Sequence, residues 1–136
     1  MRDAALDGDA LRVFLHVIAV SVWLGGQIVV GGIVPMVRRS NPEALNTIAK
    51  GFGRVAWPFF GLAVFTGIWN MMSVDGDETT GSWNAVLGVK MLVVVAAGAL
   101  AWLHQNTSKP SIRGASAGLG LVASVVAALL GVMLSA

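Results

Sequence analysis

The 136-residue chain is 56% hydrophobic and 12% charged, with nine Lys and Arg against seven Asp and Glu. Soluble domains carry roughly twice that charged fraction, so the composition excludes an ordinary water-soluble fold. The lack of cysteine excludes disulfides, thiolate metal sites and thiol redox chemistry, and the basic residues sit in connections between apolar runs, a membrane-topology pattern rather than a nucleic-acid-binding one.

The first ten residues hold Asp3, Asp7 and Asp9 where a secretory signal carries net positive charge. The apolar run behind them is too long for an h-region, so the first span is expected to stay in the mature protein. Four apolar segments follow, at about 11–37, 55–73, 84–104 and 115–135. Each is long enough to cross a hydrocarbon core of about 30 Å as a helix. The runs are continuous rather than alternating, and backbone polar groups in lipid must be satisfied internally, so helices are preferred to strands. The predicted fold is all-α: one integral membrane domain over residues 1–136, a four-helix bundle running up-down-up-down.

Orientation follows from the connections. The first holds Arg38, Arg39, Lys50 and Arg54, and the third Lys109 and Arg113, whereas the second holds Asp75, Asp77 and Glu78 and no basic residue. The positive-inside rule places the first and third in the cytoplasm of a cytoplasmic-membrane protein and both termini outside, with Arg12 as the exception.

Span one carries His16, Trp23 and Gln27, which return to nearly one angle on a helix and form a polar stripe that other helices must cover. The first connection is expected to contain a short interfacial helix, with Asn41 and Pro42 as its start and Gly51, Gly53 and Pro58 bending the chain into span two. Span two sets Thr66 and Asn70 one turn apart. Span three carries Lys90, whose charge costs roughly 2.5–3.5 kcal/mol at the centre of a bilayer helix, less where the stem snorkels. His104, at the cytoplasmic end of the same span, reads as an interfacial residue. Span four repeats Ser116, Gly120, Ser124 and Ala128 at four-residue steps, a small-residue ridge for close helix packing.

His16, Lys90, Thr66 and Asn70 fall at one depth in the outer leaflet. The expected site is a cavity shared by His16 and Lys90, with Asn70 and Trp23 at its edges, because ionisable groups cost less facing each other and water than facing lipid. The ordinary alternatives are a bundle histidine donating to a neighbour and a snorkelling lysine. Met71, Met72, Met91 and Met133 lie toward the outer ends of their spans. Thioether and imidazole together suit Cu(I), which makes His16, Met72 and Met91 candidate copper donors; plain packing is the ordinary reading of the methionines. His16 and His104 lie near opposite faces and cannot ligate one iron together. No catalytic residue is assigned.

His16 followed by Trp23-Leu24-Gly25-Gly26, then Thr66-Gly67, then Lys90 in an apolar span, resembles the copper-resistance D (CopD-like) membrane domain, over Leu15 to about His104. The resemblance implies a four-helix unit associated with copper transport across the cytoplasmic membrane, with His16 a metal or cofactor contact and Lys90 its partner. HemJ-type protoporphyrinogen oxidases share the frame and imply haem b as the alternative cofactor. The chain departs from them in lacking an arginine and Tyr-His pair after the glycine-rich segment, and an Asn-Glu-x-Pro element before the last span. Three readings follow in order: a copper-handling membrane protein without enzymatic activity, a haem- or porphyrin-binding protein of which a haem-dependent oxidoreductase is the enzymatic form, and a structural subunit of a larger membrane complex. The expected partners are the lipid bilayer and a metal ion or haem, with a second copy or another membrane subunit also open, and no nucleic acid.

Overall fold

The computed structural model describes residues 4–135, and among them every regular element is a helix or a single helical turn. Two compact units divide the chain near Gly76.

In the first unit, Asp7 caps α1 (Gly8–Val20) by accepting the Ala10 backbone N–H at 2.8 Å. A single π-helical turn, Ser21–Gly25, joins it without a break to α2 (Gly26–Ser40), giving one rod from Gly8 to Ser40 that is long and apolar enough to span a membrane. Arg38 and Arg39 close that rod at its carbonyl end, where a cation is favoured. After a 3₁₀ turn at Pro42–Ala44, α3 runs uninterrupted from Leu45 to Met72. The separate interfacial helix expected in this connection is absent. Asn41 makes no capping hydrogen bond with its side chain, and Gly51, Gly53 and Pro58 all lie inside α3. A break at those residues would leave backbone groups unpaired close to lipid, and membrane helices accommodate Gly and Pro for that reason. Helix α3 therefore begins ten residues before the apolar run, and its first three turns carry Lys50 and Arg54.

In the second unit, Thr80 caps α4 (Gly81–Asn106) through the Trp83 N–H at 3.1 Å, and α5 (Pro110–Ser135) returns antiparallel beside it. The hairpin is tied at both ends: the Trp83 indole N–H donates to the Leu134 carbonyl at 3.1 Å, and His104 Nδ1 donates to the Arg113 carbonyl at 2.8 Å. His104 thus holds the turn together, in keeping with its reading as an end-of-helix residue. Between the ties, the four-residue ridge lies at the helix contact: Ser116, Gly120 and Ser124 are buried, and a Cβ on Gly120 would stand 3.4 Å from that of Leu100. Ser116 and Ser124 donate back to carbonyls of their own helix, so no hydroxyl proton is wasted in the contact.

The opposite faces are apolar and open. Phe14 and Val17 on α1, Phe65 on α3, Leu92 and Val95 on α4, and Leu119 and Leu129 on α5 are all exposed. Four helices of this length with such outer faces make the chain an all-α, multi-pass membrane protein.

The ridge generates a test. Gly120→Leu or Ser124→Leu should force α4 and α5 apart and lower the detergent melting temperature, by overpacking that costs roughly 1–3 kcal/mol. Ala117→Leu, at an exposed position of the same helix, should be close to neutral. Equal sensitivity at all three positions would mean that the ridge is not the contact.

Candidate functional site

His16 and Thr66 are brought together by the antiparallel packing of α1 on α3, with His16 Nδ1 2.8 Å from Thr66 Oγ1. Thr66 is completely buried and Oγ1 also lies 2.7 Å from the Leu62 carbonyl of its own helix. Two oxygens at that separation need a proton between them, and the hydroxyl has only one to give. Thr66 therefore donates to Leu62 and accepts from His16. The imidazole proton is thereby assigned to Nδ1, and in the neutral ring the lone pair resides on Nε2. Gly67 completes the setting: His16 Cε1 lies 3.4 Å from where a Cβ on that residue would be, so the ring lies over bare backbone. The adjacent residues Thr66 and Gly67 act as one device, an acceptor for the ring and a space for it.

One turn toward the amino end of α1, Arg12 repeats the pairing. Its Nε donates to Asn70 Oδ1 at 2.6 Å and its Nη1 meets Asp9 Oδ1 at 2.8 Å, with the side chain only 14% exposed. Arg12 and His16 on one helix thus face Asn70 and Thr66 on the other, each pair four residues apart. About two turns past the rung in the other direction, the site closes with aromatic rings. Trp23 is 7% exposed, its ring 4.5 Å from Phe60 and 5.3 Å from Trp57 between centroids.

Trp23 sits in the π turn, which the sequence reading does not foresee. π turns loosen the regular hydrogen-bond ladder and recur at functional sites. Side chains attend to the loosened carbonyls at both ends: Ser21 Oγ donates to Val17 at 2.6 Å, and Gln27 Nε2 donates to Trp23 at 3.1 Å. The amide of Gln27, expected on the polar stripe with His16 and Trp23, is engaged with its own helix.

The remaining candidates stand as follows. Asn70 belongs to the site through Arg12. Met72 ends α3 and is 77% exposed, on an apolar face with Phe65, Ile68 and Trp69. Lys90 and Met91 are half-buried on α4 in the second unit, where Lys90 Nζ lies beside Gly131 of α5. Among the described residues there is no cluster of three or more His, Cys, Asp or Glu able to hold a metal ion. Arg12 and Gly67, noted in the sequence for charge pattern and motif, were not assigned there to the site. The signal for both was present: matched four-residue spacings on two helices joined by one connection, and a glycine directly after the acceptor.

A family model described as copper resistance protein D matches residues 46–136. The matched stretch contains Thr66, Gly67 and Lys90 and extends through the fourth span, which the resemblance read from the sequence, ending at about His104, did not include. It begins after His16 and Trp23–Gly26. No curated protein and no solved structure matches the chain.

The rung is testable alone. Thr66→Val should leave the Nδ1 proton without an acceptor and cost about 1–3 kcal/mol, whereas Thr66→Ser should restore most of the stability. Nitrogen-15 spectra of ring-labelled protein should show His16 protonated at Nδ1. Protonation at Nε2 alone would reverse the assignment.

Proposed function

The chain belongs to the copper resistance protein D family, and from that premise we propose that it handles copper in the cytoplasmic membrane, taking the ion on His16 as cargo. The observation that carries this reading is the Nδ1 hydrogen bond to Thr66. A ligating histidine characteristically donates its other ring N–H to a fixed acceptor, which orients the ring and raises the basicity of the ligating nitrogen. His16 has that arrangement, with Thr66 as the acceptor and Gly67 as the space the ring needs.

The donor chemistry favours passage over storage. Imidazole and thioether accept copper, but tight retention of Cu(I) draws on thiolates, and the sequence has no cysteine. Met71 and Met72, at the same end of α3 as Thr66 and Asn70, are the thioethers that would receive or deliver the ion. Arg12 would work against strong binding of any cation nearby and favour a fast off-rate. Trp23 with its ring partners would bound the polar region on the other side.

The same proposal orients the protein with both termini outside. Arg38, Arg39, Lys50 and Arg54 then face the cytoplasm with Lys109 and Arg113, and the acidic segment Asp75–Glu78 faces out.

Detergent-purified protein titrated with Cu(I) should bind it at equilibrium, and His16→Ala should lose that binding with helix content unchanged. Thr66→Val should weaken copper binding by roughly 10–100-fold, the usual effect of removing an orienting partner. Cu(I) binding equal in wild type and His16→Ala would end the copper reading, and a Soret band that vanishes in His16→Ala would replace it with haem. For orientation, a reporter active only in the cytoplasm should work when inserted at Asn41 and be silent when fused after Ala136. The opposite pattern would invert the topology.

A further inference from the structure

Lys90 enters the membrane seven residues beyond Trp83 on α4, about 10 Å along the helix axis. Its ammonium does not stay at that depth. Nζ lies beside Gly131, 2.9 Å from the point a Cβ there would occupy. Gly131 stands only three residues before Leu134, the residue whose carbonyl receives the Trp83 indole. The side chain has therefore climbed about one turn toward the Trp83 end, the direction in which helical side chains lean. It ends beside Gly131, about one turn before α5 finishes at Ser135.

A Cβ at Gly131 would meet the ammonium at 2.9 Å, so glycine lets the flexible end of Lys90 rest there without being displaced. Among the described residues Lys90 has no hydrogen-bond or ion-pair partner. The acidic residues of its own unit, Asp77 and Glu78, lie before α4 begins. The half-buried ammonium carries three donors suited to a phosphate oxyanion, and a lysine stem near the end of a membrane hairpin reaches toward the headgroups. We propose that Lys90, seated over Gly131, binds a phosphate oxyanion, the group presented by anionic phospholipids. The site lies wholly within the α4–α5 hairpin and does not draw on the copper reading.

The full chain is purified in a neutral detergent and mixed with phosphatidylglycerol or phosphatidylcholine, and bound lipid is counted by native mass spectrometry. Wild type should hold several-fold more phosphatidylglycerol than phosphatidylcholine. Lys90→Met should lose that excess, and so should Gly131→Leu, which keeps the charge but fills its seat. Lys90→Arg should keep the excess, separating loss of the cation from loss of the fold, and so should Lys109→Gln at the other end of the hairpin. If inorganic phosphate displaces the lipid, the free oxyanion suffices as ligand; if it does not, the ligand is the lipid headgroup. Either result depends on Lys90. Equal occupancy by the two lipids in wild type, or an excess that survives both Lys90→Met and Gly131→Leu, overturns the proposal.

Discussion

The hydrogen bond from His16 to Thr66 is the interaction on which the first hairpin depends. A polar ring within a membrane helix has no water to turn to, and the nearest acceptor must come from another helix or from backbone. Thr66 can accept because its own proton is held by the Leu62 carbonyl. That one contact sets the register of α1 on α3. With the register set, the residues one turn away on each helix, Arg12 and Asn70, are opposed as well, and the ring packs closely over the backbone at Gly67. A slip by one residue would lose both pairs together, so the polar groups specify an alignment that apolar packing alone leaves loose.

The four spans and the small-residue ridge were legible in the sequence because both are periodic. Apolar runs of membrane length have few alternatives, and Ser116, Gly120 and Ser124 at four-residue steps point to one face whatever the partner helix is. The continuity of α3 was not legible. Gly51, Gly53 and Pro58 break helices in water, and only the need to satisfy every backbone group near lipid overrides that preference. The π turn at Ser21–Gly25 was hidden for a related reason: its sequence is ordinary apolar helix, and the extra residue shows only through the carbonyls that Ser21 and Gln27 attend. Arg12 disturbed the charge pattern used for topology, and its pairing with Asp9 and Asn70 explains how a cation is accommodated there.

The family match begins at residue 46 and so leaves out the helix that carries His16. Chemistry connects the two parts. Within the matched stretch, a buried threonine followed by glycine has no evident purpose on α3 by itself, since Thr66 could satisfy its proton on Leu62 at any face of the helix. Against α1 the pair becomes a receptor for an imidazole, one residue accepting the proton and the next giving room. The resemblance that includes His16 and the family match that begins after it therefore meet at a single contact, and they meet within one compact unit.

Three of the glycines at the helix contacts serve different needs. At Gly120 the absence of a Cβ admits the Leu100 side chain and brings two backbones close; at Gly67 it admits an aromatic ring; at Gly131 it admits an ammonium. Only the first is a packing device in the ordinary membrane sense. The other two accommodate polar groups whose burial is unfavourable unless something else favours it. The His16 ring has Thr66 as its acceptor within the chain. The Lys90 ammonium has no such partner among the described residues, and a charge held in a prepared seat without a counter-charge calls for one from the surroundings. A polar group satisfied inside the protein fixes structure, whereas one left to be satisfied from outside marks a place where the protein meets a ligand.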